Sequence, residues 1–265
     1  MATVIETRQP AEVYDQCFVP ALFAHWGPVV AAAAAIRPGE RVLDVACGTG
    51  ALTLAAAERA GPRGSVVGLD VNPAMLAVAR RKPAAIDWCE APAEALPFAD
   101  AAFDAVVSQF GMMFFADRVT ALGEMWRVLR PGGRLAVAVF DAIEQAPGYA
   151  ALARLLDQQF GRDVGDALKA PFALGDTAQL RASAEAAGIT GAEVKRRQGT
   201  VRFASIAALV STERACIWTL GGLLDGDQFA ALRRAAQCVL QPFVSADGAV
   251  SFTTPALVLT ASRPA

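Results

Sequence analysis

Along the first half of the chain, short apolar runs alternate with stretches of helical period. Arg41-Val-Leu-Asp-Val-Ala46, Ser65 to Asp70, Ala85 to Glu90, Phe103 to Gln109 and Arg134 to Phe140 read as five strands. Between them, Ala51 to Ala60, Pro73 to about Arg81 and about Arg118 to Leu129 read as helices. Gly61-Pro62 stops the first and Pro73 opens the second. Arg37-Pro-Gly-Glu40 and Arg130-Pro-Gly-Gly133 are turn signals. Strands alternating with helices at this spacing predict an α/β fold with a parallel, doubly wound sheet. Ahead of it, Pro10 to Ile36 reads as one or two helices, with Tyr14, Phe18, Leu22, Trp26 and Val29 roughly on a helical period.

After Asp141 the rhythm changes. Helical patterns cover about Pro147 to Gly161, Asp176 to Ala187, Ser205 to Leu224 and Asp227 to Leu240. A strand lies within Ala192 to Phe203, and a final one spans about Ala256 to Ser262. No internal repeat or low-complexity linker interrupts the chain.

Composition narrows the function classes. Hydrophobic residues make up 54% and charged residues 19% of 265 residues, which argues for a packed core and against disorder. No apolar run reaches the ~18 residues of a membrane span. The Met1 to Gln9 stretch is polar, unlike a signal peptide, so a cytoplasmic location is expected. A net charge of −2 argues against nucleic acid as partner. The five cysteines (Cys17, Cys47, Cys89, Cys216, Cys238) show no metal-ligand or redox spacing, and there is one histidine, so no metal site is expected. Monomer and homodimer are both open.

The strongest chemical signal is Val42-Leu-Asp-Val-Ala-Cys-Gly-Thr-Gly50. A strand ending in Gly48-x-Gly50 and feeding a helix lets backbone approach a ligand closely. Twenty residues on, Asp70 ends the second strand, where a carboxylate can accept from both hydroxyls of a ribose. Together they predict a nucleoside site at the carboxyl edge of the sheet. A dinucleotide fingerprint would have glycine at position 53. Thr53 stands there, and with Asp44 inside the strand this disfavours an NAD-dependent oxidoreductase.

The chain resembles class I S-adenosylmethionine-dependent methyltransferases (methyltransferase type 11) related to the quinone-biosynthesis C-methyltransferases. Val42 to Gly50, Gly68-Leu-Asp-Val-Asn-Pro-Ala-Met-Leu76, Ala93-Glu-Ala-Leu-Pro-Phe98, Phe103-Asp-Ala-Val-Val107 and Glu124-Met-Trp-Arg-Val-Leu-Arg-Pro-Gly-Gly133 carry the resemblance, over roughly residues 40 to 140. It implies a Rossmann-like seven-stranded sheet with an N-terminal helical cap (1–36), a cofactor-binding core (37–141) and a C-terminal part (142–265) holding a helical substrate lid before the last strand.

The resemblance further implies S-adenosylmethionine as cofactor and S-adenosylhomocysteine as product. Asp44, Ala46, Cys47, Gly48 and Gly50 would pass around its methionine part and Asp70 would hold the ribose. Val71 and Met75 would flank the adenine, with Ala93 and Glu94 at its edge, while Ser108 and Gln109 close the methionine end. Relatives often carry Asp before the Ala-Glu pair; Pro92 stands here, leaving Glu94 or backbone atoms to bind the adenine edge. Each residue also has a plainer reading: Asp44 as a loop tie, Cys47 as a loop residue without nucleophilic role, Met75 as core and Glu94 as a turn residue.

The expected acceptor is a small, largely apolar molecule, methylated on oxygen or carbon, such as a quinone or phenol. Phe110, Met113, Phe172 and Trp218 are candidate acceptor contacts, or parts of the core. His25 and Tyr14, in the segment that tends to fold over the cofactor in such enzymes, are candidates for assisting proton transfer; Tyr14 is also a candidate cofactor contact, and His25 can equally be a surface residue beside Trp26. A non-catalytic protein that binds S-adenosylmethionine as a regulator is the alternative from another class.

Overall fold

The computed structural model describes residues 9–265, so the Met1–Arg8 part of the predicted cap and of the polar N-terminal stretch lies outside the described residues. The described strands are β1 (Arg41–Val45), β2 (Ser65–Asp70), β3 (Asp87–Glu90), β4 (Phe103–Gln109), β5 (Leu129–Phe140), β6 (Glu193–Arg197), β7 (Thr200–Phe203), β8 (Val250–Thr253) and β9 (Ala256–Ser262). The chain forms two compact units. One comprises Phe23–Val139, Leu174–Arg197 and Ala256–Ala265; the other comprises the described part of Met1–Leu22, with Phe140–Ala173 and Gln198–Pro255.

The first unit holds the seven-stranded sheet, ordered β3-β2-β1-β4-β5-β9-β6. β1 pairs in parallel with β2 and β4, β2 with β3, and β4 with β5. β6 pairs antiparallel with β9. The chain leaves β1 toward β2 and β3, then returns to β4 on the opposite side. That reversal opens a crevice at the carboxyl ends of β1 and β4, where ligands of such sheets bind.

One face of the sheet is lined by small apolar side chains, among them Val42, Val66, Ala105, Val107, Ala136 and Ala138, packed with the helices Trp26–Ala33 and Ala51–Ala60. Alanine-rich helices can come close together here. A Cβ on Gly27 would stand 2.9 Å from the Ala51 carbonyl oxygen, so these two helices cross almost backbone to backbone. Arg134 fastens the amino end of the sheet, donating to the Ala34 carbonyl oxygen (3.0 Å) and pairing with the buried Glu40.

Two boundaries of this unit differ from the sequence pattern. The helix expected to end at Leu129 stops at Val128, and β5 starts at Leu129, already paired with Phe103. The Arg130–Gly133 turn is an irregularity inside that strand, since the register next resumes at Ala105 with Arg134.

The second unit is mostly helical: Pro10–Val13 continuing as a wide π-type helix over Tyr14–Phe23, then Pro147–Phe160, Arg162–Lys169, Ile206–Ala215 and Gly226–Leu240. The antiparallel pair β7–β8 completes it. The helix expected over Ser205 to Leu224 ends at Ala215, and Cys216–Leu224 turns on itself through Gly221 N–H to the Cys216 carbonyl (2.7 Å). The Ala192 to Phe203 stretch divides into β6 and β7, which belong to different sheets. β8 and the helix Arg162–Lys169 had no counterpart in the sequence pattern. Among the described residues no single helix is long and apolar enough to cross a membrane.

Aromatic rings organise this unit. Phe252 on β8 meets Tyr149 edge-on (5.3 Å between centroids) and Phe243 (5.5 Å), and it lies directly over Gly148. A Cβ at position 148 would overlap the Phe252 ring, which its two aromatic neighbours keep from yielding. Gly148→Ala is therefore expected to destabilise the protein by about 1–3 kcal/mol through overpacking. Chemical denaturation, with Gly226→Ala (an exposed position with open space around the Cβ and no positive φ) as a surface control, checks this.

Candidate functional site

Asp44 sits inside β1, paired in register with Gly68 of β2 and Val107 of β4, and is fully buried. Its Oδ2 accepts from the Thr53 hydroxyl at 2.6 Å, one turn into the following helix, while its Oδ1 is buried without a hydrogen-bond partner. Thr53, which stands in place of a third glycine, thus ties the helix to the strand. Burial pushes the Asp44 carboxyl up to about 7, the Thr53 bond opposes this, and the nearby Asp70 charge adds to it.

Asp70 ends β2, 8% exposed. Its Oδ2 accepts from Gly48 N–H (2.8 Å) and its Oδ1 from Asn72 N–H (2.8 Å). Burial raises its pKa, against these backbone donors. The Cys47 thiol is buried between them. Burial first, then the Asp44 and Asp70 charges, push it well above the usual thiol range, so it stays protonated and unreactive.

The loop after β1 is shaped by close approach. Ala46 has a positive φ of 56°, as does Phe110 (53°) after β4, and such backbone strain in non-glycine residues gathers at functional sites. The two loops touch: a Cβ on Gly111 would stand 2.5 Å from the Ala46 Cβ. On the other side, a Cβ on Gly50 (φ 91°) would stand 2.6 Å from the Trp88 ring, and one on Gly68 would stand 2.5 Å from it. Trp88 of β3 therefore lies across β2 and supports the glycine loop. Nothing in its position along the sequence marks this role; only the two glycines that make room for it hint at a large neighbour.

The remaining candidates divide between the two units. In the sheet unit, Val71 is 66% exposed beside buried Met75, and Ala93 is buried. Glu94 accepts through Oε1 from Ala116 N–H (2.9 Å) and Asp117 N–H (3.2 Å), so one of its oxygens fixes the start of the helix Arg118–Val128. The loop after Glu94 is pinned by Arg127, which donates to the carbonyls of Phe98 (2.9 Å) and Leu96 (3.1 Å), and by Glu124, which accepts from Leu96 N–H (2.9 Å). Ser108 is fully buried with its Oγ unpartnered, and Gln109 donates to the Phe23 carbonyl (3.2 Å).

Phe110 packs on Phe23 and Trp26 at 5.6 and 5.7 Å, and Met113 is buried nearby in sequence. His25 lies on the surface, its ring 4.8 Å from that of Trp26, with its pKa lowered by burial. Tyr14, Phe172 and Trp218 belong to the helical unit: Tyr14 meets Trp218 edge-on at 6.1 Å, and Phe172 packs on Phe140 and Tyr149 at 5.1 and 5.6 Å.

Buried polar atoms are nearly always paired. Here Asp44 Oδ1, Thr49 Oγ1 and Ser108 Oγ are unpaired at the carboxyl ends of β1 and β4. Among the described residues no cation acts on Asp44. This donor set fits a ligand that brings its own positive charge and hydroxyls, as an amino-acid-bearing nucleoside does. It suits an anionic pyrophosphate poorly. Among the described residues no three His, Cys, Asp or Glu side chains are placed to hold a metal ion.

The family model of the ubiE/COQ5 methyltransferase family matches residues 15–161, more than half of the chain. The chain belongs to this family. It is 55% identical over 105 residues to a demethylmenaquinone methyltransferase of Thermus thermophilus, covering 38% of this chain and 47% of that protein. To the ubiquinone/menaquinone biosynthesis C-methyltransferase UbiE of Xanthomonas campestris pv. campestris it is 41% identical over 124 residues, covering 44% and 49%. The chain thus spans about half the length of the curated relatives it matches. The fold is shared with phosphoethanolamine N-methyltransferase 2 of Haemonchus contortus, solved with phosphomonomethylethanolamine and S-adenosylhomocysteine (TM-score 0.60, 17% identity, 96% of this chain and 57% of that one).

Because the Asp44 pKa is raised on folding, the stability it contributes is present below the unfolded value near 4 and is lost as pH rises toward about 7. Asp44→Asn keeps an acceptor for Thr53 without the charge. Relative to wild type, it should gain about 3 kcal/mol between pH 5 and pH 8 in the ligand-free protein. Urea denaturation of both proteins at the two pH values checks this; an equal difference at both would refute it.

Proposed function

We infer that the protein binds S-adenosylmethionine at the β1–β4 crevice and transfers its methyl group to a small apolar acceptor of the quinone class, releasing S-adenosylhomocysteine. The observation that carries this reading is the pair of carboxylates at the ends of β1 and β2. Asp44 is buried with a free oxygen and no cation, and Asp70 is tied to both adjoining loops. The family membership and the names of the relatives support it from outside the site.

Asp44 and the Ala46–Gly50 loop, including Cys47 and Gly48, would surround the amino-acid part, with Ser108 and Gln109 closing that end. Asp70 retains lone pairs beyond the two it uses on backbone, enough for ribose hydroxyls. Val71 and Met75 offer apolar surface to the adenine, while Ala93 and the second oxygen of Glu94 reach its edge. When bound, S-adenosylmethionine supplies the electrophilic methyl group. The chain's own part is then to orient the two reactants and exclude water.

Phe110 and Met113 of the sheet unit are the proposed apolar contacts of the acceptor, and Phe172 and Trp218 of the helical unit are the alternative candidates. His25 of the sheet unit, its pKa lowered by burial, is the proposed group for moving the acceptor's proton, and Tyr14 of the helical unit is the alternative candidate.

Titration calorimetry with S-adenosylmethionine and, separately, NADH tests the cofactor. Micromolar binding of the former alone is expected, weakened about 10- to 100-fold in Asp70→Ala, the cost of losing hydrogen bonds to a charged group. Preference for NADH would overturn the reading. Incubation with S-adenosylmethionine and demethylmenaquinone, followed by mass spectrometry for one added methyl group, tests the activity. Cofactor binding with no transfer to any quinone would favour a non-catalytic regulator. Trp218→Ala should raise the acceptor KM several-fold and leave cofactor affinity unchanged; loss of both would mean unfolding.

A further inference from the structure

Resting on the cofactor reading above, we propose that binding of S-adenosylmethionine drives a proton off Asp44, so that cofactor affinity falls as the medium becomes more acidic. The geometry demands a choice of charge state. Asp44 is fully buried in the central strand, its Oδ2 is used by Thr53 at 2.6 Å, and its Oδ1 faces no donor. The titratable groups around it are Asp70 at the end of β2 and Cys47 in the loop, both acidic, and among the described residues no Lys, Arg or His acts on it. The Thr53, Thr49 and Ser108 hydroxyls are neutral.

Without ligand, an ionised Asp44 would be a buried charge with one hydrogen bond and a second carboxylate nearby. A protonated Asp44 avoids that cost. Its carboxyl pKa of about 7 agrees with this arrangement. The amino-acid part of the ligand brings an ammonium group, and a cation beside a carboxylate favours the charged form. On binding, the Asp44 O–H bond breaks, its electron pair stays on the carboxylate, and the proton passes to buffer.

Asp70 differs in kind. Two backbone N–H groups at 2.8 Å already support its ionised form, and on the cofactor reading it would hold the ribose rather than meet the ammonium. The adenosine half of the ligand alone should therefore leave the Asp44 proton in place. Cys47, far above its usual range, contributes no proton in this window.

Calorimetric titration of the wild-type protein in buffers of different ionisation enthalpy, between pH 5.5 and pH 7.5, reads the protons released directly. This range stays below that in which α-amino groups deprotonate. Nearly one proton per cofactor is expected at pH 6 and about half at pH 7. The Kd should rise close to tenfold per pH unit toward the acid end. Methylthioadenosine, which lacks the amino-acid part, should release none. Asp44→Asn should bind S-adenosylmethionine with a Kd independent of pH.

Binding of the cofactor without proton release in the wild type would overturn the proposal and leave the cofactor reading intact. Absence of any binding would sink the cofactor reading itself, and the proposal with it. Release that survives in Asp44→Asn and disappears in Asp70→Asn would assign the proton to the other carboxyl. Equal release with methylthioadenosine would show that the ammonium is not its cause.

Discussion

The carboxylate of Asp70 holds the carboxyl edge of the sheet together. With one oxygen on Gly48 N–H and the other on Asn72 N–H, it fixes the loop leaving β1 to the turn leaving β2. Each bond joins a backbone donor to a charged acceptor, the stronger class of hydrogen bond. The arrangement places a second acid, Asp44, near the first, with little solvent to separate their charges. Two buried carboxyls without a cation cannot both ionise cheaply. Asp44 is the more deeply buried of the two and is served by Thr53 alone, so the cost falls on Asp44. The acid–base state of the site thus follows first from burial and then from which carboxyl the backbone serves.

Beneath these acids, shape is set by what is missing from the glycines. Trp88 crosses β2 at Gly68 and reaches Gly50, and Gly111 lets the loop after β4 rest on Ala46. The strained backbone of Ala46 and Phe110 lies at that contact. The crevice is therefore held by interlocking backbone and one indole, with little freedom to adapt. That suits a site made to position a ligand of fixed shape.

The sheet and its switch point were legible because β1 to β5 are short apolar runs between helices whose periodicity is plain. Asp70 was legible for the same reason: strand end and spacing put it at the edge. The partner of Asp44 was not. Thr53 was informative only as the absence of a glycine, and its hydroxyl contact runs from a helix back to a strand, which no periodicity encodes. Trp88 escaped because a half-buried aromatic on a short strand looks like core. The contact of Glu94 with the Ala116 and Asp117 backbone depends on a turn 22 residues away, which no local pattern encodes. The same folding-over brings the Leu96–Phe98 backbone onto Glu124 and Arg127, so two separated segments of the resemblance meet as one structural joint. In the helical unit, β8 begins 47 residues after β7 ends, beyond an alanine-rich stretch, and Gly161 before the short helix Arg162–Lys169 and Gly165 within it disguise that helix.

The two units divide the chemistry unequally. The family match covers residues 15–161, and most of the helical unit lies beyond it. That unit has its own buried acid: Glu213, accepting from the Thr219 hydroxyl at 2.8 Å and pushed by burial up to about 7. Like Asp44, it has no cation acting on it among the described residues. Unlike Asp44, it lies within a helix, Ile206–Ala215, with the Tyr149 hydroxyl beside it. A carboxyl that can remain neutral lets a unit rich in Phe, Tyr and Trp stay free of fixed interior charge near neutral pH, and an interior of that kind favours apolar ligands over ionic ones. The sheet unit, by contrast, concentrates acceptors at a single edge. The asymmetry is one of charge: the sheet unit gathers acceptors at one edge, and the helical unit buries an acid that can stay neutral.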